Sequence, residues 1–257
     1  MSYLSDLLDA TKRRIEETRG KVTEAALEER LASVEPPRGF RSALHRATRP
    51  AVIAEIKRRS PSKGALDEDL DAGALAEAYA AGGASAISVL TEPDRFGGSF
   101  EDLQLAKGAG LAVLRKDFIL DPFQVLESRA EGADAILLIV RVLGDELSAL
   151  LRGSATLGMD ALVEVYDDSD LERALEAGAD LIGINHRDLE TFEVDPERTA
   201  KLRPRVPEGK LVVALSGVNE RADVEQLATA GADAVLVGES LVTAADPAAK
   251  LRALLGR

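Results

Sequence analysis

A chain of 257 residues with 46% hydrophobic content has material for one large core, and with aromatics at only 4% that core must be filled by aliphatic side chains. A formal net charge of -13 excludes a surface built for nucleic acid or for an anionic membrane, although a local basic pocket for a phosphate remains allowed. With no cysteine there are no disulfides, thiol nucleophiles or thiolate metal sites, and His45 and His186 are too few for a histidine-built metal centre.

From Ser2 to about Arg19, Leu4, Leu7, Leu8 and Ile15 recur at helical spacing among charges, which predicts an amphipathic helix; a shorter one is expected near Glu24 to Leu31. The first residues reach Asp6 before any long apolar run and do not read as a secretory signal. Pro36-Pro37 then stops helix, and Phe40 to His45 is another short candidate. Residues 1–48 are thus a helical leader ahead of the pattern that follows. Apolar runs such as Ala135 to Val140 are far too short to span a bilayer, so a soluble, cytoplasmic protein is expected.

The first strand is expected over Ala51 to Ile56. On it Ile53, Glu55 and Lys57 share one face and Ala54 and Ile56 the other. A carboxylate and an ammonium at the end of a buried strand are costly to desolvate unless they meet each other or a ligand. Ser60-Pro61-Ser62-Lys63-Gly64 cannot continue the strand and reads as a loop.

An internal repeat sets the architecture. Gly83-Ala84-Ser85-Ala86-Ile87, Gly132-Ala133-Asp134-Ala135-Ile136, Gly178-Ala179-Asp180-Leu181-Ile182 and Gly231-Ala232-Asp233-Ala234-Val235 each follow a helical stretch and open an apolar run, so the glycine caps a helix and the run is a strand. The copies stand roughly 50 residues apart, twice the ~25 of one βα unit, so one strand is hidden between each pair. Leu111 to Leu114, Ala161 to Val165 and Leu211 to Leu215 supply them. With the first strand this gives about eight, the number a closed parallel (β/α)8 TIM barrel needs, in one domain over 1–257. A doubly wound open sheet is the alternative, weakened by the lack of a GxGxxG sequence after the first strand.

In such a barrel the chemistry sits at the C-terminal strand ends. Polar residues gather there: Glu55 and Lys57 on the first strand, Lys116 on the third, Glu164 on the fifth and Asn185 on the sixth. Any one of these charges is accounted for as a rim ion pair; their convergence from four strand ends points to a site. Strands seven and eight end instead in Ser216-Gly217 and Gly238-Glu239, where small residues either let backbone amides approach a phosphate or simply make tight turns.

Five motifs in this order carry a resemblance: Ile53-Ala54-Glu55-Ile56-Lys57 with Ser60-Pro61-Ser62-Lys63-Gly64, Ser88-Val89-Leu90-Thr91-Glu92 with Phe96-Gly97-Gly98-Ser99, Leu114-Arg115-Lys116-Asp117-Phe118, Leu162-Val163-Glu164-Val165, and Asn185 with Arg187-Asp188-Leu189. Over essentially its whole length the chain resembles the indole-3-glycerol phosphate synthase family. The resemblance implies a phosphorylated small-molecule substrate, 1-(2-carboxyphenylamino)-1-deoxyribulose 5-phosphate, closed into an indole with loss of carbon dioxide and water. It implies no cofactor, no metal, no nucleic acid and no membrane, and a monomer is expected.

By the same resemblance Lys116 is the acid, Lys57 holds the substrate carboxylate, and Glu164 stabilises the cationic intermediate and moves a proton. Glu55 and Asn185 orient the sugar hydroxyls and the lysines. Ser216, Gly217, Gly238 and Glu239 match the phosphate loops, Glu239 through its amide. Phe96, Phe118, Leu137 and Leu189 match the apolar ring pocket, for which core packing is the competing account, and Ser60 and Arg187 fall on the carboxylate side. The leader matches a segment that folds over the barrel mouth. Two positions depart from the family: Leu215 stands where a glutamate is usual, and His186, where small polar residues are common, is expected to be a solvated loop histidine.

Overall fold

Eight runs free of proline and rich in Val, Ile, Leu and Ala form the strands β1 (Ala51–Ile56), β2 (Ala86–Leu90), β3 (Val113–Lys116), β4 (Ala135–Ile139), β5 (Asp160–Val165), β6 (Leu181–Asn185), β7 (Leu211–Leu215) and β8 (Ala234–Val237). In this computed structural model, which describes residues 3–60 and 63–257, they are all parallel. They close into a barrel in chain order, with β1 pairing both β8 (Ala51 opposite Ala234) and β2 (Ile53 opposite Ala86). Closure rules out the open sheet.

Alternation along the strands sorts the core into two layers. Ile53, Leu114, Leu137, Leu162, Val213 and Leu236 pack inside the barrel, while Val52, Ala54, Ile56, Val113, Ile136 and Val163 meet the surrounding helices.

The repeated phrase has a structural cause. Gly83, Gly132, Gly178 and Gly231 take φ of 96°, 93°, 87° and 91°, the left-handed conformation that ends a helix and that costs glycine least. Its aspartate ties neighbouring strands together: Asp134 accepts from Val113 N at 2.8 Å and Asp233 from Val212 N at 2.9 Å. The strand expected to begin at Leu111 begins at Val113 instead. There the Leu111 carbonyl is taken by Arg38 Nη1 at 3.0 Å, outside the ladder.

The leader forms α1 (Tyr3–Arg19), α2 (Glu24–Leu31) and α3 (Phe40–Arg46); Met1 and Ser2 lie outside the described residues. Leu7 of α1 joins the barrel-interior cluster, and Arg14 reaches Asp117 just beyond β3 at 3.1 Å, so α1 lies over the rim at the C-terminal strand ends. Thr23 caps α2, which packs on the helix Pro122–Ala130. The expectation for the mouth holds for α1 only. Phe40 and Leu44 of α3 are buried with Ala51, Ala86 and Ala112 at the strand starts, and Arg41 N donates to Asp160 at the first residue of β5. One end of the leader borders the mouth and the other plugs the opposite end.

Candidate active site

At the C-terminal strand ends a cavity of about 400 Å³ opens. Glu55 points inward from β1 with 3% exposure because it follows Ile53 at the strand period. Lys57, just past the strand, places Nζ 2.8 Å from Glu55 Oε1, and Lys116, the last residue of β3, places its Nζ 3.7 Å from Glu55 Oε2. Across the cavity Glu164 of β5 is 4% exposed and accepts from Asn185 Nδ2 at 2.8 Å. Asn185 Oδ1 in turn accepts from Ser216 Oγ at 2.9 Å and from Arg187 N at 3.0 Å.

The two buried carboxylates are pushed apart. Burial drives the Glu55 carboxyl up, but the Lys57 and Lys116 ammonium groups outweigh it and hold the group below the ordinary carboxylate range. For Glu164 burial wins over the charge of Lys116 and the Asn185 hydrogen bond, and its carboxyl titrates above that range. A pair separated in this way provides one permanent anion and one group able to carry a proton.

At the other end Ser216 and Gly217 take φ of 71° and 87°, and Gly238 opens the one-turn helix Glu239–Val242. Position 238 requires glycine, since a Cβ there would fall 2.4 Å from Glu55 Oε1. The Glu239 carboxylate forms an ion pair with Lys63. Phe96, Phe118 and Leu189 supply the apolar wall, and Ser60 and Arg187 also line the cavity; Arg187 Nη1 donates to Phe192 O at 3.0 Å and braces its own loop.

Every residue expected in the site lines this cavity except Leu137. That side chain is 3% exposed and packs inside the barrel, because it sits mid-strand on β4, two residues before the inward-facing Ile139 at the strand end. His186 also departs from expectation. It is 2% exposed, its Nε2 lies 2.7 Å from Thr199 Oγ1, and burial together with the Arg198 charge lowers its pKa to about 4. The loop after β6 folds back through the bridge between Arg187 and Val194 and covers it. Leu215, 2% exposed, lines the cavity beside Asn185 and packs over Gly183, whose Cβ would stand 3.0 Å from Leu215 Cδ1.

Several lining residues were not anticipated, Lys63, Tyr3 and Leu4 among them. Lys63 was visible only as part of a loop motif. Tyr3 and Leu4 reach the cavity from α1, where Tyr3 packs edge-on to Phe192 at 5.1 Å between ring centroids with Arg95 5.4 Å from its own ring. Nothing local in the sequence marks them, because they are brought in by the packing of α1.

Comparison with known proteins identifies the family. The chain is 51% identical over 249 residues to an indole-3-glycerol phosphate synthase of Parafrankia sp., covering 96% of this chain and 92% of that one. It is 52% identical over 236 residues to indole-3-glycerol phosphate synthase 2 of Streptomyces coelicolor, covering 91% of each. Among solved structures, 3-hexulose-6-phosphate synthase from Salmonella typhimurium superposes with a TM-score of 0.61 at 19% identity over 79% of this chain and 96% of that one, a likeness of fold alone. The family model described as indole-3-glycerol phosphate synthase matches residues 4–254, and the chain belongs to that family, the ring-closing, decarboxylating lyases of tryptophan biosynthesis.

Proposed function

We propose that this cavity binds 1-(2-carboxyphenylamino)-1-deoxyribulose 5-phosphate with its phosphate against Ser216, Gly217, Gly238 and the Glu239 amide, and with its benzene ring against Phe96, Phe118 and Leu189. The observation that carries this reading is the Lys57–Glu55–Lys116 chain facing the Glu164–Asn185 pair within one cavity. A substrate held at both ends sets its ketone between them.

Ring closure makes a carbon–carbon bond from the aromatic ring to the ketone carbon, and the carbonyl oxygen must gain a proton as that bond forms. Lys116 supplies it, and Glu55, held anionic, fixes both lysines in place. Lys57 holds the carboxylate until carbon dioxide leaves. Glu164 faces the cationic intermediate and takes or gives the proton when water is lost, work suited to a carboxyl whose pKa burial has raised. Leu137 has no part in binding, and no step calls for a metal, a cofactor, nucleic acid or a membrane. We place the activity in the cytoplasm, in keeping with a biosynthetic enzyme free of cysteine, and on a monomer; residues 1–48 serve it as an extension of one barrel domain.

Incubating the protein with this substrate in the absence of added metal or nucleotide, and following indole fluorescence, tests the reading; product at a rate proportional to protein is expected. A second reading rests on Leu215, an apolar group beside Asn185 where the resemblance leads one to expect a carboxylate: a barrel that binds the phosphosugar but turns it over poorly. Tight binding without product, with activity restored by Leu215→Glu, would favour it.

A further inference from the structure

Arg14 of α1 does not line the catalytic cavity, yet its guanidinium bridges two buried carboxylates that follow different strands. Nη2 lies 3.1 Å from Asp117 Oδ1, just past β3, and Nη1 lies 3.4 Å from Glu92 Oε1, just past β2; both acids are almost wholly buried. A planar fork can serve two acceptors at once, which a single ammonium does less well. A second cavity of about 300 Å³ opens between this part of α1 and the barrel, lined by Arg14, Thr18, Thr91, Ser99 and Asp117 among others. Here α1 meets the strand ends through Arg14 more than through close packing.

Each carboxylate in turn holds a wall of the catalytic cavity. Asp117 stands between Lys116 and Phe118 in the chain. Its Oδ1 accepts from Phe118 N at 2.8 Å, and its Oδ2 accepts from Thr91 Oγ1 at 2.8 Å and from Arg115 Nη2 at 2.9 Å. The carboxylate thus sets the direction in which the chain leaves β3, and with it Phe118. Glu92 caps the one-turn helix Pro93–Phe96: Oε1 accepts from Asp94 N at 3.1 Å, and Oε2 from Arg95 N at 2.7 Å and Phe96 N at 3.1 Å. Phe96 closes that turn and lines the cavity. Arg115 is shared by Asp117 and Glu127, so Arg14 is the second cation for three carboxylates. Without it one guanidinium is left to three acids, and a buried carboxylate short of a partner shifts toward water.

We propose that Arg14 is a positioning residue for the ring end of the cavity: through Asp117 and Glu92 it holds Phe118 and Phe96 in register with each other, so that the two side chains form one wall. This rests on the assignment of the benzene ring to those side chains.

Steady-state kinetics test it in the wild type, Arg14→Met and Arg14→Lys, together with titrations by 2-aminobenzoate, the ring end of the proposed substrate, and by inorganic phosphate, its other end. Methionine keeps the stem and loses the charge. In Arg14→Met the KM for the substrate and the Kd for 2-aminobenzoate rise about tenfold. The phosphate Kd stays within about twofold, because that end is built from the loops after β7 and β8, and kcat changes less than KM, because Lys116 keeps its contact with Glu55. In Arg14→Lys a cation remains without the fork, and KM and the 2-aminobenzoate Kd rise about threefold. A lower melting temperature with both constants unchanged, a fall in kcat alone, an equal rise in the phosphate Kd, or a lysine variant no better than methionine overturns the proposal. Should Arg14→Met fail to fold, Arg14→Lys decides, and no rise in its two constants overturns. A wild type that binds 2-aminobenzoate but forms no indole refutes the assigned reaction and leaves this proposal to the titrations; one that forms no indole and binds neither fragment overturns both.

Discussion

Glu55 and Glu164 are about equally hidden from water and titrate in opposite directions, and the difference comes from what each faces. Two ammonium groups hold Glu55 ionised, whereas Glu164 has an amide and a share of Lys116. Among the described residues Lys116 alone is placed against both carboxylates, so its loss removes the proposed acid and the common counter-charge together. Lys116→Ala is expected to lower kcat by roughly 10²–10⁴, with circular dichroism and melting temperature close to wild type because the residue lies at a solvent-reached rim; near-normal turnover would exclude it as the acid. A Glu164 that must be ionised to accept a proton loses activity as pH falls through its raised pKa. The acid limb of kcat/KM is therefore expected above the ordinary glutamate value of 4.5, and it should vanish from the residual activity of Glu164→Gln. An unchanged limb in that variant would assign the titration elsewhere.

At the scale of the element, what the sequence showed and what it hid have separate physical causes. The four Gly-Ala-(Asp/Ser) phrases were legible because a left-handed cap recurs with every second βα unit, and in two copies, at Asp134 and Asp233, the aspartate also accepts from an amide of the preceding strand. Glu55, Lys116, Glu164 and Asn185 were legible because a charged or polar group inside an apolar strand is costly to bury unless a partner or a ligand meets it. Leu137 was misplaced because alternation assigns a face and not a depth along the barrel. His186 was misplaced because its burial depends on a loop that folds back from Val194, and Tyr3 was missed because its partners Phe192 and Arg95 are far off in sequence. The leader was read as one element and serves both ends of the barrel. That division makes a test: Phe40 of α3 is wholly buried in the plug opposite the cavity. Phe40→Ala should cost about 3–5 kcal/mol of stability and leave the KM of the folded enzyme unchanged. Denaturant unfolding and kinetics on one preparation would check it, and a changed KM would show that plug and cavity are coupled.

For the whole molecule the closed barrel turns one residue's environment into a property of the fold, and acid stability shows how. The fold holds the His186 pKa at about 4 against 6.5 for an unperturbed histidine, so between those values the unfolded chain binds a proton that the native state refuses. Stability from this source is fully present above pH 6.5, declines as pH falls, and is gone below about pH 4. A depression of that size corresponds to about 3 kcal/mol across the interval. Glu164 works the other way: its raised pKa makes the native state the better proton acceptor, so its contribution grows as pH falls and offsets part of the loss. Glu55 adds a loss of its own below 4.5, where its salt-bridged carboxylate must be protonated. The difference between the wild type and a variant altered only at His186 therefore isolates the histidine, since Glu55 and Glu164 are present in both. Unfolding free energies from urea titrations at several pH values should fall more steeply between pH 6.5 and about 4 in the wild type than in His186→Gln, which cannot take up the proton. Parallel curves for the two proteins would show that the ring is not held neutral by the fold.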